Sequence, residues 1–126
     1  MHFRFARHTA NIKELEKFYT SILGFTKLGD FTNHDGYDGI FFGEKDADWH
    51  IEFTQNGESP HQKWDEDDVL VFYPTTQSSY DLILDNVKQA QLKIEESKNP
   101  YWNINGVQFS DPDGYRIIIS PLKIKG

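Results

Sequence analysis

The stretch from Phe3 to Phe25, FRFARHTANIKELEKFYTSILGF, constrains the fold more than any other part of the chain. Its aromatic residues at positions 3 and 5 alternate with charged or small residues, which is typical of a β-strand over 2–8. Apolar residues then recur at three- and four-residue spacing, which predicts one stripe of an α-helix over 12–23. These are Ile12, Leu15, Phe18, Tyr19, Ile22 and Leu23. Asn11 can cap the start of this helix and Gly24 can end it.

The same order of elements starts again near Val69, and this repetition predicts two similar halves. Further strands of the first half are expected at 25–31, 37–43 and 49–54. Strands of the second half are expected at 69–73, 92–95, 106–110 and 115–120, with a helix capped by Thr76 or Ser78. The predicted fold is α+β, one domain over 1–126 in which two βαβββ halves form a curved mixed sheet around a groove. The halves cover roughly 1–54 and 69–126, and the polar residues 55–68 form a linker.

Charge and cysteine content exclude several function classes. The net charge is −7 and basic residues do not cluster, so a nucleic-acid partner is not expected, because phosphates are neutralised by clustered lysine and arginine. Without cysteine the chain has no disulfide, thiolate metal site or cysteine nucleophile. The N-terminus has no long apolar run, so neither a signal peptide nor a membrane partner is expected, and we predict a cytoplasmic protein.

Two phrases of the sequence carry a resemblance to a known family. They are N-I-K-E-L-E-K-F-Y-T-S-I-L-G-F over 11–25 and D-P-D-G-Y-R-I-I-I over 111–119. With these phrases the chain resembles the vicinal oxygen chelate superfamily, which includes glyoxalases, bleomycin- and fosfomycin-resistance proteins and extradiol dioxygenases. The resemblance implies a single-module member that forms a homodimer, with the ligand groove at or near the interface.

Metal-binding members of this superfamily place four ligands on groove-facing strands. The resemblance carries these positions onto Arg4, Glu52, Val69 or Leu70, and Ile118. Glu52 is the one residue of this set that keeps a metal-ligating side chain, since a guanidinium has no lone pair to give and the others are apolar. We therefore expect no metal ion and no other cofactor.

The strand around Glu52 carries the polar residues from which a site could be built. His50, Glu52 and Thr54 share one strand face, because side chains alternate along a strand. The resemblance places Arg4 beside this strand, on an inward strand face. There we expect its guanidinium to be buried within hydrogen-bonding reach of Glu52, since a buried arginine needs an acid or an anion, and it could also hold an anionic ligand. The His50-x-Glu52 spacing could instead begin a metal site completed by His2 or His8. Glu52 could also act as a general base.

Three residues of the second half are further candidates. Arg116 alternates with Ile118, so it faces the groove if Ile118 does, and otherwise it is a surface arginine at the end of a hairpin. Tyr101 and Trp102 are expected in a loop. There they could stack on a flat ligand, plug the open end of the sheet or form a dimer contact.

These residues favour a metal-independent binder of a polar or anionic small molecule. The expected ligand-binding residues are Arg4, His50, Glu52, Tyr101, Trp102 and Arg116. The alternative is a metal-dependent lyase, isomerase or dioxygenase, for example a glyoxalase-like enzyme, with Glu52 as the catalytic residue. A third interpretation is a dimeric scaffold with no chemistry in its groove.

Overall fold

A computed structural model describes residues 1–61 and 63–125. The chain divides into two compact units, Met1–Gln62 and Lys63–Gly126. Each unit is a βαβββ-type module with its own mixed sheet, so the predicted α+β class with two such modules is confirmed. Among the described residues, none of the helices is both long and apolar enough to cross a bilayer.

The first unit consists of one helix and a four-stranded sheet. Its elements are β1 (Phe3–His8), α1 (Ile12–Ser21), β2 (Thr26–His34), β3 (Tyr37–Gly43) and β4 (Trp49–Gln55). The strand order is β1-β4-β3-β2, in which β1 is parallel to β4 and the other pairs are antiparallel. The chain crosses over through α1, which allows β1 and β4 to pair in parallel. Strand β1 lies at one edge of the sheet.

Helix α1 covers one face of this sheet and forms the core of the first unit. The Asn11 side chain accepts a hydrogen bond from the Glu14 N–H at 3.3 Å, and Gly24 follows the helix at φ +71°. The helix packs over β3 and β4. Its buried Tyr19 lies with its ring centroid 5.0 Å from that of Phe53 on β4. The apolar stripe predicted for 12–23 is therefore confirmed, although the helix proper ends at Ser21.

The second unit repeats this strand order with one strand fewer. Its elements are β5 (Val69–Phe72), α2 (Gln77–Gln89), α3 (Pro100–Asn105), β6 (Val107–Ser110) and β7 (Arg116–Ile119). The order is β5-β7-β6, with β5 parallel to β7 and β6 antiparallel to it. Thr76, and not Ser78, caps α2 by accepting from the Ser79 N–H.

Two expectations for the second unit are wrong in detail. The predicted strand at 92–95 is reduced to a single β-bridge between Glu95 and Gln108. Ile94 is 55% exposed, so its side chain does not pack into the core as a strand residue would. The supposed loop around Tyr101 begins helix α3. The Asn99 side chain accepts from the Tyr101 N–H and Pro100 occupies the first turn, which together start a helix.

Candidate functional site

The first sheet has one face under α1 and one polar face. On β4, the side chains of His50, Glu52 and Thr54 alternate with the apolar ones that pack toward the helix. The strand register places Arg4 opposite His50, and Phe41 opposite Glu52. We define the polar face of the first sheet as the side chains His2, Arg4, His8, Phe31, Phe41, His50, Glu52 and Thr54.

Arg4 and Glu52 form an ion pair on this face. The distance from Arg4 Nη1 to Glu52 Oε2 is 3.7 Å, which is an ion contact and is longer than a hydrogen bond. The Arg4 side chain is 55% exposed and that of Glu52 is 10% exposed. The expected pairing is present, but the expectation of a buried, hydrogen-bonded arginine is wrong, because β1 is an edge strand whose long side chain reaches solvent.

His2 and His50 are joined by a hydrogen bond at the end of the polar face. Their Nε2 and Nδ1 atoms are 2.7 Å apart, so one ring donates and the other accepts. Burial lowers the pKa of His50, and the positive charges of His2 and Arg4 lower it further against the opposing effect of Glu52. A neutral His50 therefore stands beside the fixed positive charge of Arg4 at neutral pH.

Two phenylalanine rings lie on the same face over glycines of the neighbouring strand. Phe31 is opposite Gly39, and Phe41 is opposite Gly29. A Cβ atom on Gly39 would collide with the Phe31 ring, and one on Gly29 would lie 3.3 Å from Phe41 Cδ2. The two rings are 5.8 Å apart between centroids, and we call them the aromatic platform. Phe41 also meets His50 edge-on at 5.7 Å.

The aromatic platform was missed by the interpretation of the sequence. Its signal is a glycine two residues before a phenylalanine on each of two adjacent strands, Gly29-x-Phe31 and Gly39-x-Phe41. In an antiparallel pair these two motifs place each ring opposite a glycine.

His8 is held at the other end of the polar face. Its Nδ1 lies 3.0 Å from Thr54 Oγ1 and its Nε2 lies 2.9 Å from Asn56 Oδ1. Because the amide oxygen can only accept, Nε2 carries the proton, and both ring nitrogens are used. Among the residues described, no three histidines or carboxylates come together as a metal site. Among these residues, neither His2 nor His8 therefore completes the metal site suggested by the His50-x-Glu52 spacing.

The side chains at the four positions that the resemblance assigns to metal ligands do not fit a metal ion. Arg4 and Glu52 lie on the polar face of the first sheet. In the second unit, Val69 and Ile118 share a sheet face, whereas Leu70 lies on the other. Hydrocarbon side chains and a guanidinium have no lone pair to give a metal, so the Glu52 carboxylate is the one possible metal ligand of this set.

The remaining candidate residues lie in the second unit, around a cleft of about 330 Å³. Trp102 lines this cleft. Tyr101 is 51% exposed and contacts Trp102 edge-on, with ring centroids 4.9 Å apart, but it does not line the cleft. Arg116 lies on the same sheet face as Ile118, and its Nη1 donates to the Asp65 carbonyl at 3.2 Å. Sequence reasoning missed Lys98 and Gln108, which also line the cleft.

Comparisons with known proteins identify close relatives. Residues 3–54 match the YycE-like N-terminal domain and residues 67–120 match the YycE-like C-terminal domain. YycE of Bacillus subtilis, an uncharacterised protein, is 40% identical over 121 residues, which cover 95% of this chain and 87% of YycE. A crystal structure of YycE from Bacillus subtilis superposes with a TM-score of 0.81 at 38% identity, covering 99% of this chain and 90% of that one.

A more distant structural likeness is to TnmS3, an antibiotic binding protein from Streptomyces sp. CB03234. The TM-score is 0.68 at 19% identity, over 95% of this chain and 93% of TnmS3. At that identity the likeness shows a common fold.

Proposed function

Because the chain belongs to the YycE-like family of the glyoxalase, bleomycin and fosfomycin resistance superfamily, we propose that it binds a small molecule without a metal ion. The site we propose is the polar face of the first sheet. Support comes from the donor set, which does not suit a metal, and from the antibiotic-binding relative TnmS3, whose fold is the same. The homodimer implied by the resemblance stays a prediction.

The observation that carries the proposal is the placement of Arg4 beside the aromatic platform. Arg4 keeps more than half of its side chain exposed, so its guanidinium has N–H groups available for an anion. Phe41 lies on β3, two strands from β1, and strands are spaced by about 4.8 Å, so the backbones that carry the cation and the ring are roughly 10 Å apart. A flat apolar group joined to a carboxylate or phosphonate by a short chain suits this distance.

Glu52 and His50 would supply the remaining polar contacts. Within residues 1–61 and 63–125, the ion contact with Arg4 is the one polar contact that the Glu52 carboxylate makes. It can therefore accept a hydrogen bond from a ligand hydroxyl or amide. The neutral His50 ring adds an edge that either donates or accepts. This arrangement favours a polar anionic ligand with an aromatic part.

The test uses 4-phenylbutyrate and its uncharged analogue 4-phenylbutanamide, with binding measured by isothermal titration calorimetry. We expect Arg4→Met to weaken 4-phenylbutyrate by about tenfold or more, the effect of one charge-assisted hydrogen bond, and to leave the amide nearly unchanged. Lys13→Met removes an exposed cation from α1 and is the matched control. We expect Phe41→Leu to weaken both probes. Two results would contradict the proposal. One is an equal loss of affinity for both probes in Arg4→Met, and the other is a loss of 4-phenylbutyrate affinity in Lys13→Met as large as that in Arg4→Met.

A metal-dependent lyase, isomerase or dioxygenase is less well supported. Such an enzyme would need ligands at Val69 and Ile118, whose side chains have none to give. We therefore propose Glu52 as a ligand contact and not as a catalytic base beside a metal.

A further inference from the structure

The second unit contains a buried acceptor whose orientation is fixed. Gln108 is 4% exposed, and its Nε2 donates to Glu95 Oε1 at 3.0 Å. Ser110 donates its hydroxyl to the other Glu95 oxygen at 2.7 Å. A carboxylate only accepts, so the amide nitrogen of Gln108 must face Glu95, and its oxygen must point away. Among the residues described, Gln108 Oε1 has no hydrogen-bond donor.

This acceptor belongs to a side chain that lines the cleft of about 330 Å³. That volume is at the lower end of the range for small-molecule sites. Trp102 contributes an aromatic wall and is half-buried. A ligand that donates a hydrogen bond to Oε1 and lays an apolar group on the indole would use both features.

The charges at the cleft favour a cation. Glu66, Asp67 and Lys98 line it, and Lys98 Nζ lies 3.5 Å from Glu66 Oε2, so this pair neutralises itself and Asp67 remains. The Lys98 and Glu66 side chains are 58% and 63% exposed, and ion pairs this exposed are weak. The Lys98 side chain can therefore move away from the cleft while the two carboxylates stay.

We propose that this cleft binds a protonated amine that carries an apolar, preferably aromatic, group. The ammonium N–H donates to Gln108 Oε1, the positive charge is held by Asp67 and by Glu66 once Lys98 has moved, and the apolar group packs on Trp102. The proposal is independent of anion binding on the first sheet, because it uses other residues and the opposite ligand charge.

The experiment compares two probes of equal size on the full chain, 2-phenylethylammonium and 2-phenylethanol. Binding is measured by calorimetry, and its place is read from the shift of the Trp102 indole N–H signal in NMR spectra. We expect the ammonium probe to bind at least about tenfold tighter than the alcohol, and to move the Trp102 signal. Equal affinity of ammonium and alcohol, or no effect on Trp102, would overturn the proposal.

Variants separate this cleft from the first sheet. We expect Gln108→Met, which removes the acceptor at similar length, to weaken the ammonium probe about tenfold, whereas Gln89→Met on the exposed surface of α2 leaves it unchanged. Asp67→Asn changes an exposed charge and avoids any loss of folding, with Asp85→Asn as its control. We expect it to weaken the ammonium probe severalfold and not the alcohol. Ammonium binding that depends on Arg4 and not on these residues would refute the assignment.

Discussion

The ion pair between Arg4 and Glu52 can be tested by a double-mutant cycle with Arg4→Met, Glu52→Met and the double variant. At 3.7 Å the Coulomb energy of two unit charges is roughly 1 kcal/mol in water and roughly 4.5 kcal/mol at an effective dielectric constant of about 20. Because the Arg4 side chain is 55% exposed, solvent screening and side-chain entropy hold the value near the lower figure. We expect a coupling free energy of about 1 kcal/mol.

The two single variants should not cost the same. Arg4→Met leaves the Glu52 carboxylate, only 10% exposed, without its cation, so we expect a loss of about 1–3 kcal/mol. Glu52→Met leaves a guanidinium that water already solvates, so its loss should be smaller. This order is the reverse of what a buried Arg4, as expected from the sequence, would give.

Urea unfolding of the four proteins measures these free energies, in 0.05 M and 1 M sodium chloride. Roughly half or more of the coupling should disappear in high salt, since the pair is partly exposed. Lys13→Met controls for the loss of one positive charge. A coupling below about 0.2 kcal/mol, or a larger loss for Glu52→Met than for Arg4→Met, would show that the reasoning from exposure is wrong.

Further predictions concern the core, the aromatic platform, protonation and metal content. Phe18→Ala should lower the free energy of unfolding by about 3–5 kcal/mol, measured in urea. Gly39→Ala should cost about 1–3 kcal/mol, because Phe31 must move, and calorimetric melting together with ring NMR signals would detect it. The pKa of His50 should lie below 6.5, so its neutral form stabilises the fold fully above pH 6.5. The free energy of unfolding should then decline as the pH falls through the lowered pKa. We expect His50→Gln to reduce this decline, measured by urea unfolding at several pH values. Purified protein should contain no stoichiometric zinc, nickel, manganese or iron by emission spectroscopy, and chelator should leave its melting temperature unchanged; one metal per chain would contradict this.

The local patterns of the chain predicted those elements whose causes lie close together in sequence. The apolar stripe and the capping residues of α1 are neighbours within one helix. On β4, side chains alternate between the two sheet faces, so Ile51 and Glu52 lie on opposite faces irrespective of which strand pairs with β4. The start of α3 is also encoded locally, by Asn99 and Pro100, although Tyr101 and Trp102 are expected in a loop.

The parts of the candidate sites that sequence reasoning missed depend on pairings between distant segments. His2 and His50 are 48 residues apart, and only the parallel register of β1 and β4 brings them together. The exposure of Arg4 follows from the position of β1 at the sheet edge. The unpartnered oxygen of Gln108 depends on the bridge that brings Glu95 beside it. No local periodicity specifies such contacts.

The two rings of the aromatic platform lie over the backbone of glycines and contact each other, and Phe41 also contacts His50. Phe31 lies over Gly39 and Phe41 near Gly29, on the face that does not pack against α1. Substitutions at positions 31 and 41 can therefore alter the shape offered to a ligand without repacking the interior around Tyr19. A lineage, or a directed-evolution library, could diversify ligand preference at these two positions while the selection for folding acts on a separate set of residues.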